Sequence, residues 1–295
     1  MLTTIMKKKW FALISLVLII LALWYAAALV MNGRQIIQNF ERKHQSWSYS
    51  QVLDQVYTVK RPMLPAPHQV AIELKKSIFD KPITSKRSLI YHAQITLNST
   101  LLGFVFGSLL GILIAVGIVH NKTLEASLMP WVIASQTIPI LAIAPIIVIV
   151  LGAVNITGVV PKAIISMYLS FFPVTIAMAK GLRASDTLHE ELMFTYNASA
   201  KQVFWKLRWY SAQPFLFASL KVAIAAALVG AIVAELPTGA QGGLGSRLLS
   251  GSYYGQTEQI WAALIVSALL GSILVWLVGL AENKLLRRRG GLENV

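Results

Sequence analysis

The sequence predicts an all-α membrane protein with about six transmembrane helices, from three observations. Of 295 residues, 56% are hydrophobic and only 13% charged, about half the charged share of an ordinary soluble domain. Mean hydropathy is +0.65. Several apolar runs reach the roughly 20 residues that a helix needs to cross about 30 Å of hydrocarbon. A soluble globular enzyme is thereby excluded. The absence of cysteine removes a disulfide framework, a thiolate metal site and a Cys nucleophile. The net charge of +14 points to membrane lipid and basic cytoplasmic loops rather than to nucleic acid.

The expected spans, in order, begin with Trp10–Val30. Lys7, Lys8 and Lys9 precede it as in a secretory signal, and Ala26, Ala27 and Ala28 offer small residues for cleavage. Its apolar run exceeds the roughly 7–15 residues of a signal core, so it reads as a retained helix. Leu97–Val119, Leu128–Leu151 and Ala163–Met178 with its flanks follow, the last being the shortest. Phe215–Pro237 carries Lys221 about two turns in, where a lysine can snorkel to the near interface. Ile260–Leu280 closes the set. The expected division is 1–31 (tail and first span), 32–95 (extracytoplasmic or interfacial), 96–285 (transmembrane core, including a loop at 181–213) and 286–295 (cytoplasmic tail). Between Pro65 and Tyr91, Val70, Leu74 and Ile78 fall at helical spacing and suggest an interfacial helix.

Orientation follows from charge in short loops. A cytoplasmic N-terminus puts thirteen Lys and Arg on inner segments and only Lys162 and Arg247 on short outer loops. Both termini are therefore expected inside. The ten basic residues of 31–95 oppose this, but long segments translocate largely regardless of charge.

The loop 181–213 reads as two short helices. Thr187 with Glu190 fits a capping box, after which Leu188, Glu191, Leu192 and Thr195 share a face. Asn197 tolerates the left-handed conformation that ends a helix. Ser199 with Gln202 fits a second capping box, and Pro214 marks the return to the membrane. From the pattern alone, this hairpin either docks on a partner protein or rests on lipid headgroups.

The stretch Glu190–Pro214, "EELMFTYNASAKQVFWKLRWYSAQP", resembles the EAA loop of ATP-binding-cassette (ABC) importer permeases. Glu191 matches the motif glutamate, and Leu192 and Met193 occupy the two alanine positions. Asn197 stands for the glycine, followed by fitting Ala198 and Ser199. Phe204 matches the recurrent aromatic, Tyr210 replaces the first proline and Pro214 retains the second. The stretches "QTIPILAIAPIIVIVLG", "FFPVTIAMAKGLRASD", "SLKVAIAAALVGAIVAE" and "GGLG" resemble the nitrate/sulfonate/taurine-type subgroup, so the likeness covers roughly residues 65–285. The resemblance implies a binding-protein-dependent permease core in a bacterial inner membrane, with a cytoplasmic two-helix coupling loop. It further implies a second permease copy, two ATPase subunits and an extracytoplasmic solute-binding protein as partners. Its substrates would be small anions such as sulfonates, or pyrimidine-like thiamine precursors and other heterocycles.

The chain contains no G-x-x-x-x-G-K-[ST] phosphate loop, so no cofactor is expected on it and ATP is expected on the partner subunit. "GGLG" at Gly242–Gly245 reads as a turn before the last span. The five histidines have no metal-ligand spacing, and no catalytic residue is expected. Gln136 and Thr137 sit in the third expected span beside Pro139 and Pro145. They could line a translocation path opened where proline removes helical bonds, or mark a kink with Gln136 bonded to a neighbouring helix. Glu235, at the outer end of the fifth span, could belong to the same path or be an interfacial carboxylate facing water. Trp10, Trp24, Trp131, Trp261 and Trp276 near span ends read as interfacial anchors. The alternative function, a self-sufficient secondary transporter or channel, would call for ionisable couplers within several spans. The twelve acids lie almost entirely in loops or at span ends.

Overall fold

In the computed structural model, residues 2–237 and 242–287 are described, and among them every regular element is helical. In chain order the helices are α1 Leu2–Arg42, α2 Tyr49–Gln55, α3 Pro67–Ile78, α4 Leu89–His120, α5 Lys122–Ala134, α6 Ile140–Ala153 and α7 Val159–Leu182. The remainder are α8 Thr187–Thr195, α9 Ala200–Val203, α10 Trp209–Glu235, α11 Leu244–Tyr253 and α12 Thr257–Arg287. A π-helical turn, Phe204–Arg208, joins α9 to α10. The expected tail 286–295 lies, from residue 288 onward, outside the described residues.

Five helices among the described residues are long and apolar enough to cross a bilayer: Trp10–Arg42 within α1, α4, α7, Ala200–Glu235, and Thr257–Leu285 within α12. The third expected span, Leu128–Leu151, is two shorter helices, α5 and α6, separated at Ser135–Pro139. Pro139 has no N–H to give a continuing helix. The Ser135 and Thr137 hydroxyls donate to the Val132 and Ala134 carbonyls at 2.7 and 2.8 Å, occupying the last acceptors of α5. The first expected span likewise does not end near Val30, because α1 continues to Arg42.

The chain forms two compact units. One comprises 1–90 and 247–265. In it, α2 packs on the far end of α1 through Ile36, Val52 and Val56. Asn32, fully buried, clamps the following chain: its amide donates to the Leu64 and Val56 carbonyls at 2.9 and 3.3 Å and accepts from Leu64 N at 3.1 Å. Trp24 packs against Trp261 with ring centroids 4.6 Å apart and the rings tilted by 41°, and donates to the Pro65 carbonyl, tying α1 to both α12 and the loop before α3. Val70 is buried and Leu74 and Ile78 half-buried, so the expected helical face exists in α3 and is used for packing.

The second unit comprises 91–246 and 266–295. Its centre is α7 against α4 and α10. Gly103, Gly107 and Gly111 lie one turn apart on α4. A Cβ at these positions would meet Ser166 Cβ at 2.2 Å, Ser170 Oγ at 2.0 Å and the Phe171 carbonyl at 2.7 Å, so α4 and α7 touch backbone to backbone. Gly230 of α10 meets Ser166 the same way. Small residues suit lipid, where close van der Waals packing rather than hydrophobic expulsion holds helices together. Beyond the glycines, Val174, Met178, Leu182, Ala212 and Leu216 form a buried cluster, with Phe204 and Trp209 packed against it.

Candidate functional site

Two constructions in the second unit stand apart from ordinary helix packing. The first is the hairpin between α7 and α10. Asp186 caps α8, its carboxylate accepting from Leu188 N at 3.0 Å. The expected Thr187–Glu190 capping box does not form: Thr187 is the first helical position and Asp186 alone caps the helix. Glu190 is released for another task. It accepts from the Ser185 hydroxyl and from Arg208 Nε at 3.2 Å, joining the start of α8 to the π-turn. The Ser185 bond, followed by the Arg208 charge, holds the Glu190 carboxyl below its usual range despite some desolvation. Arg183 and Glu125 form a 2.8 Å ion pair beside it, and the guanidinium lowers the Glu125 pKa.

α8 ends as the sequence suggests. Asn197 has φ of +49°, in the left-handed region. Asn197 N donates to the Phe194 carbonyl at 2.9 Å and Ala198 N to the Met193 carbonyl at 3.0 Å, the two bonds of a Schellman cap. Ser199 then opens α9 in a capping box: Ser199 N donates to Gln202 Oε1 at 2.8 Å, and Gln202 N to Ser199 Oγ at 3.4 Å. Both ends of the turn are thus closed by local bonds, which sets the angle between α8 and α9.

The hairpin's side chains sort into two sets. Phe204 turns inward, edge-on to His120 at 5.2 Å and near Trp209 at 6.2 Å. Leu188 is 68% exposed, Leu192 50%, Phe194 87% and Tyr196 77%. Glu191, Asn197 and Ser199 are also exposed, with Met193 and Ala198 half-buried between them. Such a density of bare apolar surface on a polar hairpin marks an interaction face. Phe194 and Tyr196 were not singled out by spacing; the signal that could have found them is their position just ahead of the left-handed residue, where a helix end projects its side chains outward. Pro214 causes no break in the helix that enters the apolar span. It lies inside α10, and the helix runs on from Ala200 to Glu235. The buried Ala212, Gln213, Leu216 and Phe217 hold the helix against a proline cost of about 3 kcal/mol.

The second construction surrounds Glu235. Of its two expected placements, that of a carboxylate facing water is not met: Glu235 is completely buried. Thr96 Oγ1 of α4 lies 2.9 Å from both carboxylate oxygens, Gly245 N donates at 2.9 Å, and Lys162 Nζ of α7 stands 3.9 Å away. Lys162, counted as an outer-loop charge in the sequence, is also buried, in the first turn of α7, and donates to the Gly242 carbonyl at 2.8 Å. The "GGLG" turn is shaped around this pair. Gly242 and Gly243 have φ of +82° and +116°. A Cβ on Gly243 would lie 2.0 Å from Glu235 Cδ, so only glycine lets the backbone close over the carboxylate. The turn leads into α11 rather than directly into the last span.

Gln136, Thr137 and Pro139 are exposed together at the α5–α6 break, and Pro145 is half-buried within α6. Tyr168 of α7 donates to the Ser135 carbonyl and so pins the break to its neighbour. Glu235 bonds to none of these residues. Among the described residues, no group of His, Asp and Glu is arranged to hold a metal ion.

With this geometry in view, residues 107–287 match the model of the family described as binding-protein-dependent transport system inner membrane component. The chain is 31% identical over 229 residues to the formylaminopyrimidine transport permease protein ThiX of Halalkalibacterium halodurans, covering 76% of this chain and 85% of that one. It is 29% identical to the riboflavin transport system permease protein RibX of Chloroflexus aurantiacus, over 76% and 80% of the two chains. A protein of Bacillus subtilis named for aliphatic sulfonates transport, SsuC, is 27% identical over 82% and 84%.

Proposed function

We propose, from the premise that this chain belongs to the binding-protein-dependent transport system inner membrane component family, that the α8–α9 hairpin is its mechanical joint with the ATPase. The chain is a multi-pass inner-membrane permease subunit of an ABC importer, not an enzyme, and works with an ATPase and a solute-binding protein. Within that role, Glu191, Leu192, Met193, Asn197, Ala198 and Ser199 form the docking face. Phe204 and Pro214 lie on the rigid rod that carries motion into the span.

The observation that carries this reading is the combination of bare apolar side chains on α8 with an uninterrupted helix from Ala200 to Glu235. A partner that displaces the hairpin displaces the whole rod, because the capped turn and the Glu190–Arg208 tie leave little slack between α8 and the start of the span. ATP is bound and hydrolysed on the partner subunit, this chain carrying no phosphate loop. A second copy of the chain completes the pore, which Gln136, Thr137, Pro139 and Pro145 line at the broken helix. Glu235 holds the outer end of that path closed through its turn rather than touching solute. Both termini and the hairpin face the cytoplasm, and lipid covers the apolar outer faces of the spans. The solute is a small sulfonate-like anion or a pyrimidine-like heterocycle, a reading supported by the names of two of the relatives.

The experiment is co-purification with the ATPase and uptake into proteoliposomes for Glu191→Ala and Asn197→Val against wild type. Both variants should insert normally and lose uptake, with ATPase association weakened or hydrolysis uncoupled. Normal association together with normal uptake in both would remove the hairpin from the coupling role.

A further inference from the structure

A basic cavity of about 510 Å³ lies within the unit formed by 1–90 and 247–265. Its walls carry six cations: Lys60, Arg61, Lys76, Lys81, Arg87 and Arg247. Two carboxylates among the described residues, Glu73 and Glu258, line the same space. Among the described residues none of the six cations makes an ion pair with either of them, and Glu73 instead accepts from the Ser77 hydroxyl at 2.7 Å. Six cations against two carboxylates leave the like charges only partly compensated.

Three features show that the arrangement is held in place rather than a chance gathering of surface lysines. Arg247 Nε is buried and has no acceptor, a state that native structures rarely leave unexplained. Arg61 has φ of +60°, a strained conformation for a side chain of this size, which persists only where its surroundings impose it. Here they do. The Gln35 amide donates to the Arg61 carbonyl at 3.2 Å and accepts from Met63 N at 3.0 Å, while Thr257 Oγ1 donates to the Pro62 carbonyl at 2.6 Å. Gln259, also in the lining, is fixed by donating to the Arg247 carbonyl at 3.1 Å. Burial and the neighbouring Arg247, Lys76 and Arg87 push the Lys81 pKa down, against the pull of Glu73.

We infer that this cavity is a binding site for an oxyanion group, a phosphate, sulfate or sulfonate. Arginine forks and lysine ammoniums are the donors such groups require. An excess of four positive charges lining one cavity favours an anion over a neutral or cationic guest. The volume falls in the range of small-ligand sites. A free anion and a lipid headgroup share this chemistry. The site is independent of the ATPase-coupling role proposed above, since it contains no residue of the hairpin.

The test uses the complete chain with its ATPase in nanodiscs of zwitterionic phosphatidylcholine, with radiolabelled sulfate as the probe. Wild type should bind sulfate saturably at one site per chain. Arg247→Gln and Lys81→Gln should each weaken that binding at least about tenfold, while Lys43→Gln, outside the cavity, should not. Lys81 is half-exposed, so its variant tests the site even if Arg247→Gln misfolds. In a second arm, lipid retained through detergent purification is identified by mass spectrometry. Sulfate binding in the neutral nanodisc assigns the site to a free anion. Retention of an anionic phospholipid that both cavity variants lose, without sulfate binding, assigns it to a headgroup. Absence of both, or equal weakening by Lys43→Gln, would overturn the site.

Discussion

Replacing Glu235 by glutamine removes one charge and almost no volume, so it isolates the electrostatic part of the buried node. The partners stand 3.9 Å apart, with Lys162 1% and Glu235 0% exposed. At an effective dielectric of about 20 their attraction is about 4 kcal/mol. Neither group has water to turn to, and removing one partner of a buried pair typically costs about 3–5 kcal/mol because the other is left uncompensated. Glu235→Gln should fall in that range. Tryptophan fluorescence of the purified chain in detergent, which has eight tryptophans, would then show unfolding lowered on the order of 10 °C. Lys162→Met should cost a similar amount. The double variant should cost less than the two singles together by more than about 1 kcal/mol, since it leaves no lone charge. Additive losses, or a Glu235→Gln variant as stable as wild type, would show that the turn is held by its glycines and Thr96 alone.

Gly107→Leu should separate α4 from α7, because even a Cβ there meets Ser170 Oγ at 2.0 Å; yield of folded protein by size-exclusion chromatography should collapse, while Gly152→Leu, with open space around it, should be tolerated. Glu190 has a folded pKa below its ordinary 4.5. Its contribution is therefore present above pH 4.5 and is lost as pH falls through the lower folded value. Protease protection of the hairpin should decline over that acid window, and Glu190→Gln should flatten the decline. A cysteine placed at Ala200, in a chain with none of its own, should resist an impermeant thiol reagent applied to whole cells. Ready labelling there would reverse the proposed orientation.

Composition, run length and capping signals were enough to read the membrane class, five of the spans and the two-helix hairpin, because each depends on neighbours within one or two turns. The left-handed Asn197 and the Ser199 box were legible for the same reason: caps are local bonds between residues at most five apart. Where two local solutions compete, spacing decides less well. Asp186 and Thr187 are both acceptable caps, and the structure uses Asp186 because Glu190 is drawn away to Ser185 and Arg208. Pro214 is a helix breaker by propensity, yet buried packing around it keeps the rod continuous.

The sequence by itself determined that this is a helical membrane protein with a polar hairpin carrying exposed apolar side chains, since hydrophobic runs and capping signals are written in consecutive residues. Only the tertiary structure decided that Glu235 and Lys162 are buried partners 73 positions apart, that Thr96 joins them from α4, and that "GGLG" exists to close over a carboxylate. It also gathered Lys60, Arg87 and Arg247 around one cavity. Water-facing and buried charges look alike in a sequence. What separates them is whether distant backbone and side chains arrive to replace the water, and that is settled only when the helices pack.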